Sequence, residues 1–263
     1  MAPSRSMWLI AGWPLACGGA PSDASVPVPD PQHYEGAWIS ASFVEKLRTT
    51  QKVNVAVAAS AHSELRILRS SALPGGWEVL VDDGSQHEGY TYPLVVSDQP
   101  RTFGVAVRVY DPVTAVAGSS IEPLRVGDGG VVFKGHTFVR FGYAVPGATT
   151  FDDVVNLATI GGRYQGSDTK EYRFGLAGAA VIAGEERVYR VFVDIAGLGP
   201  IEETCDGAMS VWPQGTPPEA REYFGFVASA EEVQLFVAPA LDGGALNDFR
   251  CTGAPDRVLV REE

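Results

Sequence analysis

Methionine and cysteine are scarce in this chain of 263 residues, with three of each, and histidine occurs four times, at His33, His62, His87 and His136. None of these residues falls into a pattern that carries chemistry. H-E-x-x-H, C-x-x-C and G-x-S-x-G are all missing, and so is a phosphate-cradling glycine loop. No metal, no cofactor and no enzymatic reaction are therefore expected. Positive charge is also in short supply, with 20 Lys and Arg against 32 Asp and Glu, a net charge of −12. Such a surface repels phosphate backbones, which argues against a nucleic-acid partner. Beyond the N-terminal segment, no run approaches the ~20 apolar residues that a membrane-spanning helix needs.

Glycine and proline are plentiful, at 30 and 18 residues, and 45% of the chain is hydrophobic. Frequent turns between short apolar segments point to an all-β chain with a packed core. The N-terminus has a different texture. Arg5 is followed by ten uncharged residues, 7–16, then by Cys17 and the stretch GGAPSDASVPVPDPQ. Charge, apolar run, small residues and a cut is the order of a secretory signal. The Pro-, Ser- and Gly-rich stretch is too poor in apolar residues to pack and suits a flexible tether.

The segment LACGG resembles the lipobox of bacterial lipoproteins, although Pro14 stands where that motif carries leucine. The resemblance implies a signal peptide over 1–16, Cys17 as the acylated first residue of the mature chain, and a tether over 17–33. It also implies a membrane partner through the lipid, and Gly18 after the cysteine leans towards the outer membrane rather than retention at the inner one. With Cys17 acylated, Cys205 and Cys251 remain as an even pair, which an exported chain oxidises to a disulfide.

From residue 34 onward, short β-type segments alternate with turn residues. In the first half they fall at 37–40, 64–70, 77–82, 90–96, 103–110, 121–126, 131–134 and 137–143. The second half offers 161–165, 171–175, 179–183, 187–195, 209–212, 223–227, 233–237 and 257–261. In FGVAVRVY, Val105, Val107 and Val109 share one face, as a half-buried strand requires. One short helix is expected near 42–50, with Ser42 and Glu45 as a capping box. A single helical turn at 152–157 interrupts the strands and marks a linker, 146–159, between lobes at 34–145 and 160–263.

The two halves repeat at their ends. Gly36-Ala37-Trp38 opens the first and Arg140 closes it; Gly162-Arg163-Tyr164 opens the second and Arg261 closes it, over nearly equal spans. A Gly-x-Trp on the first strand with an Arg on the last resembles the lipocalin-like (calycin) barrels. The resemblance implies two antiparallel β-barrel lobes, each floored by an arginine lying over an aromatic ring. Inward positions would include Trp77, Leu80, Tyr92, Val107 and Phe138 in the first lobe. In the second they would include Tyr172, Phe174, Tyr189, Phe192, Phe224, Phe226 and Phe236.

A barrel of eight strands either holds one small ligand or fills its interior with side chains. Two readings follow from that choice. The first is a membrane-anchored lipoprotein of the cell envelope that binds a small hydrophobic ligand or an envelope partner. The alternative is a periplasmic inhibitor or envelope-structural protein without a ligand cavity, acting through loops such as 197–203 and 214–220.

Overall fold

The computed structural model describes residues 29–60, 62–73, 75–81, 90–111, 116–193, 201–216, 220–241 and 247–262. Cys17, His87 and most of the expected 197–203 loop lie outside them.

The chain forms two closed eight-stranded antiparallel barrels in which every strand pairs with its neighbour in sequence. The first comprises β1 (Gly36–Ser40), β2 (Glu64–Arg69), β3 (Trp77–Val81), β4 (Tyr90–Val96), β5 (Thr102–Asp111), β6 (Val116–Gly127), β7 (Gly130–Phe133) and β8 (His136–Val139). Ile39 opposite Val139 and Ser40 opposite Phe138 seal β1 to β8. The second comprises β9 (Gly162–Gly166), β10 (Glu171–Phe174), β11 (Ala179–Ile182), β12 (Glu185–Phe192), β13 (Gly207–Pro213), β14 (Glu222–Ala228), β15 (Glu232–Val237) and β16 (Arg257–Arg261). Tyr164 opposite Arg261 lies in the closing pair of β9 and β16. Closure leaves no sheet edge open to another chain, which suits strands this short.

Among the described residues four α-helices accompany the strands, where one helix and a single helical turn at 152–157 were expected: α1 (Ala41–Thr50), α2 (Val53–Ala58), α3 (Phe141–Ala144) and α4 (Phe151–Thr159). Ser40, at the end of β1, caps α1 by accepting from the Phe43 amide, so the cap lies two residues before the expected Ser42. The expected strand at 137–143 stops at Val139 and turns into α3 after Arg140. The segment expected to link the lobes contains α4, in which Val154 and Val155 are fully buried.

These helices join the barrels into one body. Strand alternation sends Trp38 and Phe138 into the first barrel, while Ile39 and Val139 point out of its wall. The amphipathic α1 covers that wall with Phe43, Val44 and Leu47. On its far side Phe43 stacks on Phe151 of α4 at 5.6 Å. Next, α2 reaches the start of β13, where Val53 donates its amide to the Asp206 carbonyl at 2.9 Å. Lys52 and Asp206 form an ion pair of 2.6 Å, and the other Asp206 oxygen accepts from the Ala228 amide at 2.9 Å. The helices between β1 and β2 thus help close one end of the second barrel, and their apolar side chains form one continuous core with its interior.

Cys205 and Cys251 form a disulfide with Cα atoms 5.0 Å apart, pinning two connecting segments against the outside of the second barrel. Gly225 of β14 lies directly beneath: a Cβ there would sit 2.8 Å from both sulfurs. Phe192 and Phe249, with Tyr223, complete this external cluster.

Two outcomes follow. Because Phe43 belongs to the core shared by both barrels, Phe43→Ala should cost about 3–5 kcal/mol, and the wild-type protein should unfold in urea as a single transition; separate transitions for the two barrels would show that the shared core does not couple them. Replacing Cys205 and Cys251 together by serine removes a cross-link spanning 46 positions, which should lower stability by roughly 3–4 kcal/mol in the same titration.

Candidate functional site

Three places could carry function: the closed ends of the barrels, their interiors, and a cleft on the outside. At the first closed end the Arg140 guanidinium lies over the Trp38 ring, 3.8 Å from its centroid, and the indole N–H donates to the Tyr34 carbonyl at 3.1 Å. Gly36 has φ +116°, and a Cβ there would stand 2.7 Å from Arg140 Nη1. Glycine is required both for the backbone angle and for the approach of the guanidinium. The second end repeats the arrangement, with Arg261 4.9 Å from the Tyr164 ring centroid and Gly162 at φ +142°. Here Arg261 also donates to the Gly161 carbonyl at 2.9 Å and to the Tyr164 hydroxyl at 2.7 Å. Burial pushes the Tyr164 hydroxyl up to about 12, against a smaller opposing pull from Arg261. These groups close and brace the barrels, and at the first end they border a recess of about 350 Å³ also lined by His33 and Asp128.

The interiors are packed. Phe103, Phe133 and Phe138 are fully buried in the first barrel, where Trp77 and Tyr92 pack from the margin. Tyr164, Tyr172, Phe174, Tyr189, Phe224 and Phe226 fill the second. Phe174 meets Tyr189 edge-on at 5.0 Å, and the Tyr189 hydroxyl donates to the Gly175 carbonyl at 3.1 Å. Burial raises the pKa of that hydroxyl strongly, so it stays protonated. Three expected inward residues belong elsewhere. Leu80, Phe192 and Phe236 follow the inward Val79, Val191 and Leu235 by one position, and alternation turns them outward. At the mouth of the second barrel a recess of about 180 Å³ remains, lined by Ile182, Val211, Phe224 and Arg257. Ligand pockets ordinarily enclose ~300–1,000 Å³.

The larger recess is outside. A cleft of about 400 Å³ runs between the N-terminal half of α4 and the outer wall of β12 and β13. One wall is built around Asp153, whose carboxylate accepts from the Thr149 amide and hydroxyl, the Thr150 amide and, across the gap, the Ala177 amide at 2.7 Å. Desolvation works to raise the pKa of this carboxyl, but those four donors outweigh it and hold the group below the usual carboxylate range. The sequence signal was the Thr150-x-x-Asp153 spacing of a capping box, which the strand pattern around it concealed. The opposite wall presents Arg190 and Trp212. Arg190 pairs with Asp152 at 3.1 Å across the rim. The Arg221 guanidinium lies 4.6 Å from the Trp212 ring centroid, and its buried Nε has no hydrogen-bond partner.

Three of the four histidines are among the described residues. His33 lines a recess at the first closed end, and His62 meets His136 edge-on at 5.5 Å near the opposite end. Among the described residues no group of three or more His, Cys, Asp or Glu is placed to hold a metal ion.

Asp153→Ala should destabilise the protein by about 2–4 kcal/mol, since it strands several donors. The Asp153 contribution is complete above the ordinary carboxyl value of ~4 and is lost as pH falls through its lower folded value. Stability measured from pH 6 down to pH 2 should therefore decline less steeply in the variant than in the wild type; parallel profiles would refute the assignment. Comparison of the chain with models of known protein families, with curated proteins and with solved structures gave no match.

Proposed function

We propose that this is a non-enzymatic binding protein of the bacterial cell envelope, tethered to the membrane through Cys17, that recognises its partner on the outside of its barrels. The observation that carries the reading is the packing of both interiors, where fully buried aromatic side chains occupy the space that a hydrophobic ligand would need. The recess at the mouth of the second barrel, about 180 Å³, is too small for more than a fragment of such a ligand. This favours recognition by outer surfaces over transport of a small hydrophobic molecule.

Three further features support the tether and the compartment. The lipobox-like LACGG is followed by a Pro-, Ser- and Gly-rich stretch that leads directly to the first barrel. The Cys205–Cys251 disulfide suits an oxidising compartment. No described helix is long and apolar enough to cross a membrane, so a lipid on Cys17 would do the anchoring. The arginine laid over an aromatic ring at each closed end adds to the lipocalin-like resemblance of both barrels.

Intact mass of protein extracted from membranes of its bacterial host should show residues 1–16 removed and a mass increment of two or three acyl chains on Cys17. Cys17→Ser should move the protein to the soluble fraction. A full-length chain that keeps Met1 would overturn the anchor. A hydrophobic molecule retained at one per chain through native mass spectrometry, and lost on enlarging a side chain inside either barrel, would overturn recognition from outside.

A further inference from the structure

We propose that the cleft between α4 and the outer wall of β12 and β13 binds an acidic saccharide, a sugar ring bearing a carboxylate. The inference rests on the reading that recognition happens outside the barrels, and it names the site and the ligand class.

The cleft is the right kind of space. Its volume, about 400 Å³, lies within the ordinary range for ligand pockets, whereas the recess in the second barrel does not. Its walls are pre-formed, because Asp153 ties α4 to the backbone of Ala177 on the opposite side and Asn156 accepts from the Val191 amide of β12 at 2.8 Å. A site held by buried hydrogen bonds orders no loop when a ligand enters, which spares the cost of induced structure.

The lining selects the chemistry. An indole on the outside of a barrel wall is a costly surface residue unless something covers it, and Trp212 is only half-buried. Val188, its partner across the β12–β13 ladder, adjoins it and extends the apolar strip. Around this strip stand groups of opposite hydrogen-bonding sense. The half-exposed Arg190 and Asp152, paired at 3.1 Å, offer a donor beside an acceptor, which matches neighbouring hydroxyls that each donate and accept. A purely apolar ligand would leave that pair unused.

Arg221 adds the demand for charge. Its guanidinium lies against Trp212, its Nε is buried without a hydrogen-bond partner, and no described carboxylate pairs with it. A buried donor without an acceptor is unfavourable, and a ligand carboxylate is the acceptor that a planar guanidinium fork accommodates best. Arg261, stacked on Tyr164, also has a buried Nε without a partner, but its two terminal nitrogens are bonded within the protein. Arg221 differs from it in lining an open cleft. A lone phosphate could also meet Arg221, but it would leave the Trp212 and Val188 strip uncovered and would face the Asp152 carboxylate. A sugar acid satisfies both ends of the cleft, with ring carbons on the strip and the carboxylate at Arg221.

The test uses the full chain, titrated by calorimetry and by ligand-observed NMR with D-glucuronate, D-glucose and inorganic phosphate. Glucuronate should bind with a dissociation constant of about 1 mM or tighter, and glucose and phosphate at least about tenfold more weakly. Arg221→Gln and Trp212→Leu should each weaken glucuronate by at least about tenfold, whereas Arg221→Lys should lose less. Should Trp212→Leu fold poorly, contacts between glucuronate protons and the Trp212 indole in the wild-type protein serve in its place. Equal binding of glucose and glucuronate, binding of phosphate as tight as that of glucuronate, full retention in Arg221→Gln, or no saturation up to about 20 mM would each overturn the proposal. Failure of the sugar titration with Cys17 acylated and the barrels ligand-free would remove this inference alone. A hydrophobic ligand found inside a barrel would remove the outer-surface reading, whatever the sugar titration shows.

Discussion

Trp38 and Ile39 are neighbours in sequence, yet each is buried in a different core, and most of the architecture depends on that division. In a closed barrel, alternate residues of a strand must point in and out. Trp38 therefore anchors the first interior, and Ile39 becomes part of an apolar exterior that water cannot be allowed to reach. Ile39 and Val139 together leave the β1–β8 seam with an oily outer strip, and the chain covers it at once by turning into α1 at Ser40. Having buried one face on the first barrel, α1 stacks Phe43 on Phe151 of α4, and α2 continues to Asp206 on the second. The two barrels are in this way bound by a consequence of strand geometry rather than by a linker.

The same economy of burial fills the interiors and leaves the outer walls as the surface open to a partner. Fully buried aromatics in both interiors make each barrel a solid support, and the helical layer uses up one end of the second. On the outer wall, outward-facing residues are free to differ between neighbouring strands. Along β13 the outward positions change character: Ala208 packs into the cluster under the disulfide, while Trp212 faces the cleft. The disulfide holds one part of the exterior, and Asp153 holds the wall of the cleft on another.

How much of this could be read beforehand depended on the range of the determining interaction. Strands are set by local alternation and turn residues, and all sixteen of the segments marked in the sequence contain strand. The cysteine pair followed from parity once Cys17 was set aside. Errors appeared where neighbours decide the outcome. Phe192 and Phe236 are as apolar as the residues beside them, so only the register of pairing shows that they face out. Helix α2 has little helical signal in VNVAVA, since β-branched valines disfavour it; contact with the second barrel supplies what propensity lacks. The cleft was the least legible feature, because Asp152, Arg190, Trp212 and Arg221 come from four separate parts of the chain.

One departure in the sequence turns out to carry structure of its own. Tyr164 stands where the repeat has tryptophan, and by sequence it reads as a weakened copy of Trp38. Its ring lies under Arg261 as the indole lies under Arg140, at a greater distance, 4.9 Å against 3.8 Å. The tyrosine hydroxyl compensates by accepting from Arg261 at 2.7 Å and donating to the Ile160 carbonyl at 3.0 Å. Ile160 is the residue that ends α4, so the hydroxyl fastens the closing arginine to the helix that plugs the barrel and forms one wall of the cleft. Tryptophan could not do this, because its indole N–H donates and cannot accept from a guanidinium. At the first closed end Arg140 is itself the residue from which the short helix α3 starts, its carbonyl accepting from the Tyr143 and Ala144 amides, and the larger ring is retained. The two closures differ in how the arginine meets its helix: Arg140 through its own backbone, Arg261 through the Tyr164 hydroxyl.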